Sequence, residues 1–397
     1  MIPKNLSTPC YVYDMALLRQ TLDVIKAETA GHDNYHVHYA VKANANPEVL
    51  RCISAAGFGA DCVSGGEIRA ALDNGFPAKD IVFAGVGKAD WEIELGLEAG
   101  IGLFNVESIP ELEVINEIAG RMSRRADVCF RINPDVGAHT HANITTGLAE
   151  NKFGIAMSDM EAVISAARQM DNVRFVGLHF HIGSQILDME DFVALARRIN
   201  QLQKQLEDEG ITGVRVINVG GGLGIDYNYP DSNPIPNFHS YFQTYAKELQ
   251  LRLEQELHFE LGRAVVGQMG SLLTRVLYIK EGHVKRFAIV DAGFTDLIRP
   301  ALYGAHHHIE KVEGCGDAQA HTTESKAHTP EEAPSTLLYD VVGPICESSD
   351  VFQKDCPLPP LRRGDLLAIR SAGAYGEIMA SQYNCRALPG VFTINEE

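Results

Sequence analysis

The stretch His36-Val37-His38-Tyr39-Ala40-Val41-Lys42-Ala43-Asn44 places a lysine where an apolar β-type run gives way to a polar turn. An amine held at a strand end can lose its proton and attack an aldehyde, as a lysine that forms a Schiff base must do. A lysine at a strand terminus can equally be a solvated surface residue. The rest of the chain has to decide between these two interpretations.

The run that ends at Val41 is the first of eight apolar β-type runs, which segments with helical spacing separate. The runs are 36–41, 59–63, 81–84, 101–106, 127–132, 174–182, 214–219 and 257–261. The helical segments are 47–56, 66–74, 90–99, 109–118, 159–169, 189–208 and 238–255. The runs are too uniformly apolar for strands exposed on one face. This alternation predicts an α/β fold, a closed parallel (β/α)8 barrel of the TIM type with its helices outside.

Catalytic side chains of such a barrel lie at the C-terminal ends of its strands. The chain places polar or reactive residues at most of these ends: Lys42, Asp61, Ser64, Arg131, Asn133, His179, His181, Ser184, Gly220, Gly221, Gly222, Glu260 and Arg263. A doubly wound open sheet also alternates strands with helices, but it gathers such residues at one switch point. Their distribution over many strand ends favours the barrel.

Several histidines have to be weighed as metal ligands. His179 and His181 are two apart on the predicted sixth strand, so they face the same way, and His181 lies nearer the barrel mouth. His179 is therefore interpreted as structural. His139 with His141, and the run 306–308, lack the cysteine or carboxylate spacing of a metal centre. We predict that the chain has no metal site.

Two further segments have a reactive and an ordinary interpretation. The triple glycine 220–222 can close backbone N–H groups on an anion, but an isolated tight turn has the same composition. Glu260 can be an ordinary strand-end carboxylate, because Arg263 supplies a cation within the same turn. Cys346 differs from a packing cysteine, since it lies in a polar, turn-rich loop beside Glu347.

After about residue 265 the pattern changes, because apolar β-type runs recur without long helical segments. These runs are 272–279, 284–290, 335–342, 365–369 and 390–394, joined by 8–13 at the start of the chain. They predict a second, all-β domain. The predicted boundaries are 1–24 for the N-terminal strand and lead-in helix, 25–265 for the barrel and 266–397 for the β domain. The interval 310–334 has almost no large apolar residues and is predicted to be a mobile insertion.

Composition excludes several classes of partner. A net charge of −18 argues against binding to nucleic acid or to an anionic membrane. The sequence has no apolar stretch long enough to span a bilayer, and its first residues do not resemble a signal peptide. Its eight cysteines form no Cys-x-x-Cys pair, which predicts the reduced thiols of a cytoplasmic protein.

Seven motifs together resemble the pyridoxal-phosphate-dependent decarboxylases of the alanine-racemase-like fold, also called fold type III. The resemblance runs from about residue 8 to about residue 392, and Leu261 stands where much of the family has proline. Two further segments, 133–136 and 151–155, are similar to the branch that acts on diaminopimelate. The seven motifs are Tyr39-Ala40-Val41-Lys42-Ala43-Asn44, His181-Ile182-Gly183-Ser184-Gln185, Gly220-Gly221-Gly222, Glu260-Leu261-Gly262-Arg263, Arg299-Pro300-Ala301-Leu302-Tyr303-Gly304, Pro344-Ile345-Cys346-Glu347 and Gly373-Ala374-Tyr375-Gly376.

The resemblance implies a role for each matching residue. Lys42 would bind pyridoxal 5'-phosphate covalently, His181 would stack on its ring, and Glu260 would hold the pyridine nitrogen protonated. Cys346 would return a proton to the substrate carbon after carbon dioxide has left. Further cofactor-binding residues would be Asp61, Ser184, Gly220, Gly221, Gly222, Gly262, Arg263 and Tyr375.

The branch also implies a substrate, meso-2,6-diaminopimelate, with L-lysine and carbon dioxide as products of the last step of lysine biosynthesis. This substrate carries a second carboxylate and a second ammonium group at the end remote from the reaction. Arg263, Arg299 and Tyr303 would contact the distal carboxylate, and Glu347 the distal ammonium, while Tyr375 would be a further substrate-binding residue. An ornithine or lysine decarboxylase binds only an ammonium group there, which an arginine would repel.

Other functions remain open at this stage. The chain can be a relative that acts on ornithine, lysine or arginine, a racemase, or an inactive homologue that binds a regulatory partner. The presence of both Lys42 and Cys346 argues against the inactive homologue. The resemblance further implies a homodimer, in which the loop with Cys346 and Glu347 reaches the barrel mouth of the partner.

Overall fold

The computed structural model describes residues 6–136, 152–312 and 336–395, which form two compact units. The barrel unit comprises Arg19–Ile225 and Ile235–Val265. The β unit comprises the chain up to Leu18, Asp226–Pro234 and the chain from Val266 onward. The sequence-based boundaries differ at two places, because 19–24 belong to the barrel unit and 226–234 to the β unit.

The chain begins with strand β1 (Cys10–Asp14), which belongs to the β unit, and with helix α1 (Met15–Thr29), within which the unit boundary falls. The strands of the barrel unit are β2 (Tyr35–Ala40), β3 (Gly59–Cys62), β4 (Ile81–Phe83), β5 (Leu103–Val106), β6 (Ala126–Asn133), β7 (Ile155–Ala156), β8 (Val173–His179), β9 (Val216–Asn218) and β10 (Glu256–Leu261). Within the described residues, eight of them close into a parallel barrel in the order β2-β3-β4-β5-β6-β8-β9-β10, with β10 paired to β2 and β7 attached to β6. The predicted (β/α)8 barrel is confirmed.

The helices of the barrel unit follow its strands and are α2 (Pro47–Ala55), α3 (Gly65–Asp73), α4 (Asp90–Ala99), α5 (Ile109–Arg121), α6 (Met160–Arg168), α7 (Met189–Asp208), α8 (Phe238–Glu248) and the short α9 (Arg263–Val266), whose last residue belongs to the β unit. Local sequence fixes their starts. Asn46 caps α2 by accepting the N–H of Glu48, and Pro47 occupies the first turn, where a missing N–H costs nothing. Ser64 caps α3 in the same way, so the polar end of β3 also starts the next helix.

The predicted helix over 238–255 is wrong in its last third. Helix α8 ends at Glu248, because Leu249 has extended backbone angles. The amide of Asn200 donates to the carbonyl of Glu248 at 2.8 Å and accepts the N–H of Gln250 at 2.8 Å. These two bonds give the backbone groups at the end of α8 their hydrogen-bond partners, and the chain then continues in an extended form toward β10.

The β unit contains one mixed sheet and a short helix. Its elements after β1 are β11 (Gly270–Glu281), β12 (Arg286–Val290), α10 (Arg299–Tyr303), β13 (Ile309–Lys311), β14 (Leu337–Val342), β15 (Val351–Leu358), β16 (Leu366–Ile369) and β17 (Gly390–Ile394). Strand β1 pairs with β11 in the antiparallel sense and with β17 in the parallel sense, so the N-terminal strand is part of this sheet. The predicted all-β character of this part of the chain is confirmed.

Two strands of the β unit had no counterpart in the sequence analysis. Strand β15 pairs only with β14 in the described sheet and carries Lys354, Asp355 and Pro357, which suit an edge strand but hide its pattern. Strand β13 contains Glu310 and Lys311, which had been assigned to the mobile insertion. The remainder of that predicted insertion, from 313 onward, lies outside the described residues, as do His139, His141 and Asn151.

Each unit has its own apolar interior. In the barrel unit, Val82, Leu103, Cys129, Val176 and Val216 form a buried cluster of strand side chains. In the β unit, the corresponding cluster is Leu6, Cys10, Val12, Leu273, Leu366 and Ala368. Among the described helices, none is both long enough and apolar enough to cross a lipid bilayer.

Candidate active site

Lys42 lies directly after β2, in a short 3-10 turn at the C-terminal end of the barrel strands. Its ammonium Nζ is 3.0 Å from Oδ2 of Asp61, which is fully buried on β3. Burial raises the pKa of Asp61, and the charge of Glu260 acts in the same direction, whereas Lys42 opposes both. The Lys42 side chain remains 40% exposed, so the amine is held in place and still accessible.

Glu260, on β10, accepts three hydrogen bonds from buried side chains. Asn105 Nδ2 donates at 3.0 Å, Asn218 Nδ2 at 2.7 Å and His179 Nε2 at 3.0 Å. Burial alone would raise the pKa of Glu260, but the contact with His179 and the charge of Lys42 hold it below its usual value. Glu260 is therefore a buried carboxylate that stays ionised.

Two of these donors, Asn105 and Asn218, were not predicted from the sequence. Each interrupts an otherwise apolar strand close to its C-terminal end, which is the signal that could have found them. Glu107, whose Oε1 lies 3.2 Å from Nη1 of Arg131, was not predicted either. Both members of this ion pair are buried, so Arg131 is held beside the barrel mouth by a partner from the neighbouring strand end.

His181 lies after the end of β8, so the prediction that His179 and His181 share one strand is wrong. Strand β8 ends at His179, which pairs with Asn218, the last residue of β9, and the chain after β9 continues into the triple glycine. The N–H of Gly221 donates to Nδ1 of His181 at 3.3 Å, which leaves the ring hydrogen on Nε2. Burial and the nearby positive charge of Arg131 lower the pKa of His181 well below its usual value, so the imidazole is neutral.

The triple glycine makes a turn that other residues do not fit. A Cβ on Gly221 would lie 1.9 Å from the carbonyl oxygen of Glu260, which no side chain tolerates. The N–H of Gly220 donates to Oδ1 of Asn218 at 2.9 Å and orients the start of the turn. A tight turn alone therefore does not explain all three glycines, since the close approach of Gly221 to the backbone of Glu260 also requires glycine.

Ser184 and Arg263 meet in the barrel unit. Nη2 of Arg263 donates to Oγ of Ser184 at 3.1 Å, and Arg263 opens α9 directly after Gly262. A hydroxyl and a guanidinium held together in this way are typical of an anion-binding site.

The barrel-mouth residues fit pyridoxal 5'-phosphate. This cofactor requires an amine for its aldehyde, an ionised carboxylate for its ring nitrogen, and donors for its phosphate. Lys42, Glu260 and the Ser184–Arg263 pair are groups of these three kinds. In addition, Oδ1 of the buried Asp61 has no hydrogen-bond partner among the described residues, as is common where a bound group completes the network.

Cys346 and Glu347 lie in the β unit, on an exposed loop before β15. The carboxylate of Asp350 organises this loop by accepting two backbone N–H bonds, each at 2.7 Å. The N–H of Cys346 donates to Oδ1 of Asn384 at 3.2 Å, and the hydroxyl of Tyr383 donates to Glu347 at 3.1 Å. The loop thus presents a thiol and a carboxylate to solvent from an ordered backbone.

Arg299 begins α10 of the β unit and is buried. Its Nη1 lies 2.9 Å from the hydroxyl of Tyr227 and 2.9 Å from Nε2 of His307. Nδ1 of His307 lies 2.9 Å from the carbonyl oxygen of Arg370, which requires the ring hydrogen on Nδ1 and leaves Nε2 to accept from Arg299. The guanidinium of Arg299 is therefore fixed in orientation.

Tyr303 and Tyr375 also lie in the β unit. Tyr303 ends α10 and is half-buried. Tyr375 has a φ of 56°, an unfavourable left-handed backbone for a tyrosine, in a turn where a Cβ on Gly373 would lie 1.9 Å from the carbonyl oxygen of Val266. Non-glycine residues with left-handed backbone angles cluster at active sites and ligand-binding segments. The backbone of Tyr375 therefore supports its predicted role as a binding residue.

Comparison with known families gives one extended match in the first two thirds of the chain. Residues 17–267 match the family model described as "Pyridoxal-dependent decarboxylase, pyridoxal binding domain". This range contains the barrel strands and every barrel-unit residue described above.

Individual proteins match over nearly the whole chain. A diaminopimelate decarboxylase of Bacteroides thetaiotaomicron is 64% identical over 393 residues, which are 99% of this chain and 97% of that protein. A diaminopimelate decarboxylase of Neisseria meningitidis serogroup B is 44% identical over 96% of this chain and 86% of its own. Among solved structures, diaminopimelate decarboxylase from Helicobacter pylori complexed with L-lysine has a TM-score of 0.88 at 39% identity, over 99% of this chain and 93% of that one.

Proposed function

Because the chain belongs to the diaminopimelate decarboxylase family of pyridoxal-dependent decarboxylases, we propose that it converts meso-2,6-diaminopimelate into L-lysine and carbon dioxide. The observation that carries this proposal is the pairing, at one barrel mouth, of the accessible amine of Lys42 with the buried, ionised carboxylate of Glu260. The name of the 64% identical relative and the L-lysine bound to the Helicobacter pylori enzyme support the choice of substrate and product.

We propose pyridoxal 5'-phosphate as the cofactor, held by Lys42 through its amine. When bound, this cofactor withdraws electrons from the substrate carbon that loses carbon dioxide. Glu260 would contact the pyridine nitrogen of the bound cofactor, where its ionised carboxylate would favour a proton on that nitrogen. Asn105, Asn218 and His179 serve this step indirectly, because their hydrogen bonds keep Glu260 charged and in place.

The remaining barrel residues position the cofactor. The neutral ring of His181 would stack on the cofactor ring, since a neutral imidazole adds no charge that would compete with Glu260. Asp61 holds the Lys42 amine by their 3.0 Å contact. Ser184, Arg263, Gly262 and the backbone of the triple glycine would bind the phosphate, and the hydroxyl of Tyr375 would be a further donor.

The residues of the β unit bind the substrate. The fixed guanidinium of Arg299, with Tyr303, binds the distal carboxylate, and Glu347 binds the distal ammonium group. Cys346 then transfers the proton of its Sγ to the carbon that lost carbon dioxide. A thiol that donates to a substrate has to be reachable, and Cys346 is exposed.

We also propose that the protein is a homodimer whose active sites are shared. The exposed and ordered loop that presents Cys346 and Glu347 supports this proposal, because an ordered reactive loop at the surface of one chain is suited to complete a site on another. In this arrangement Lys42 of one protomer works with Cys346 of its partner.

The substrate proposal predicts the outcome of a direct assay. Purified protein supplied with pyridoxal 5'-phosphate should release carbon dioxide from meso-diaminopimelate at least about a hundredfold faster than from lysine, ornithine or arginine, because only the first has a distal carboxylate for Arg299. Carbon dioxide release and the amino-acid product are measured together for each substrate. Equal or faster release from ornithine or lysine would instead identify a basic amino-acid decarboxylase.

The shared-site proposal predicts complementation between inactive variants. Lys42→Ala and Cys346→Ala, mixed under subunit exchange, should regain about a quarter of wild-type activity, since half of the dimers are mixed and each mixed dimer has one intact site of two. Differential tags count the mixed dimers. Cys385→Ala removes another exposed thiol of the β unit and should remain active by itself. Inactivity of confirmed mixed dimers would show that Cys346 does not act across the dimer.

A further inference from the structure

A cluster of two imidazoles and one carboxylate lies at the N-terminal ends of the barrel strands, opposite the candidate active site. His36 is on β2, and Glu256 and His258 are on β10, where His258 pairs directly with His36. One ligand atom from each of the three residues lies within 4.8 Å of the others. The ligand set of two histidines and one carboxylate is one that binds divalent transition-metal ions.

Two of these ligand atoms already have the spacing of a metal centre. Nε2 of His258 and Oε2 of Glu256 are 3.3 Å apart. Two ligand atoms, each about 2.0–2.1 Å from a tetrahedral zinc ion, lie about 3.3–3.4 Å from each other. The ring of His36 has its centroid 5.0 Å from that of His258, and it is exposed, so rotation of its side chain can bring a ring nitrogen closer.

The hydrogen-bond network around His258 directs a lone pair at Glu256. Nδ1 of the buried His38 lies 3.2 Å from the carbonyl oxygen of Asp80, so Nδ1 carries the ring hydrogen. Nε2 of a neutral His38 then accepts from Nδ1 of His258, 3.2 Å away. This leaves Nε2 of a neutral His258 without a hydrogen, facing a carboxylate oxygen at 3.3 Å.

A lone pair and a carboxylate oxygen at that distance repel each other unless a cation lies between them. A proton on His258 provides one such cation and a metal ion the other. His38 has the position of the outer partner that holds a metal-binding histidine in one tautomer. The arrangement therefore contains both the ligands and the support that a metal site requires.

The cluster is accessible to an ion from solvent. The side chain of Glu256 is 40% exposed and that of His258 10% exposed. A cavity of about 270 Å³ beside the cluster is lined by His36, His38 and Asp80, among others. Lys26 also lines this cavity, and the positive charge of Arg215 lowers the pKa of Glu256. An incoming metal ion therefore has to compete with a proton for the ligands and is repelled by these two cations.

We propose that His36, Glu256 and His258 bind one divalent transition-metal ion, of which Zn²⁺ is the probe, at the N-terminal end of the barrel. This site differs from the expectation of no metal site, which considered only other histidines. Because β2 and β10 are the first and last strands of the barrel, the ion links the two strands whose pairing closes the barrel. Binding to the folded state alone stabilises that state by mass action.

The test is a titration of tag-free holoenzyme with Zn²⁺ in competition with a chromophoric chelator. We expect one ion per chain at this site, and an affinity at least about tenfold lower in His36→Gln and in Glu256→Gln, since each removes a ligand. His239→Gln is the matched control, because His239 is also exposed and also lies beside a carboxylate, Glu28, at 2.9 Å. The control should bind Zn²⁺ as the wild type does.

A second measurement identifies the ligands. Co²⁺ in place of Zn²⁺ should give visible absorption without a thiolate-to-cobalt charge-transfer band, and Zn²⁺ should raise the midpoint of thermal unfolding of the wild type and of His239→Gln only. Unchanged Zn²⁺ affinity in both His36→Gln and Glu256→Gln would overturn the proposal. A thiolate band would likewise assign the ion to cysteines such as the exposed Cys346. Circular dichroism confirms that the compared variants are folded.

Discussion

Lys42→Ala is expected to lower carbon dioxide release from meso-diaminopimelate by at least about 10⁴-fold, as removal of a covalent or acid–base residue does in other enzymes. The side chain supplies the only atom of this residue that can bond to the cofactor aldehyde, Nζ, and Asp61 holds that atom at 3.0 Å. Alanine offers no replacement. Kinetics with saturating pyridoxal 5'-phosphate measure the effect.

A chemical readout accompanies the rate. Borohydride reduction of the wild type, followed by peptide mass mapping, should place the cofactor mass on Lys42, and the variant should lose that label. Lys247→Ala is the matched control, because its side chain is 82% exposed on α8 and should retain both label and activity. Partial rescue by an added primary amine is expected. Undiminished turnover of Lys42→Ala without added amine would refute the role assigned to Lys42.

Arg299→Ala is expected to lower kcat/KM for meso-diaminopimelate by about thirtyfold to several thousandfold. Removing one partner of a desolvated charge pair costs about 2–5 kcal/mol, and this range follows from that cost. The orientation of the guanidinium is fixed by Tyr227 and His307, so little further ordering is needed when a carboxylate binds. The loss should fall mainly on this dicarboxylate.

Stability has to be separated from binding in this experiment, because Arg299 is buried. The midpoint of thermal unfolding is therefore measured with the kinetics. Arg370→Ala provides the control, since Arg370 belongs to the same unit and forms an ion pair with Asp231 at 2.7 Å. It should lose stability while keeping kcat/KM within a few-fold. If Arg299→Ala, corrected for folded protein, retains wild-type kcat/KM, the distal carboxylate is bound elsewhere.

The barrel could be predicted because a parallel strand buried on both faces has to be apolar throughout, whatever its neighbours are. All eight predicted runs overlap a barrel strand. Their ends were less predictable. The predicted run extends to 182, yet β8 stops at His179, beside Asn218, the last residue of β9, and no local pattern shows where a partner strand ends.

Strand β15, in contrast, could not be recognised from the sequence pattern at all. At the edge of its sheet, the outer backbone groups of β15 pair with no second strand of the described sheet, so the strand tolerates charged residues and a proline, and these concealed it. The helix over 238–255 was extended too far for a related reason. The amide of Asn200, distant in sequence, ends it, and no local pattern reveals such a contact.

The sequence by itself determined the reactive groups: an amine, carboxylates, histidines, a glycine turn and a thiol at strand ends or in loops. Only the tertiary structure decided the charge state and orientation of several of them. Glu260 stays ionised because Asn105, Asn218 and His179 come from three other strands to donate to it, and His38 fixes the tautomer of a neutral His258. Such properties depend on distances of about 3 Å between residues far apart in the chain, and those distances exist only after the barrel has closed.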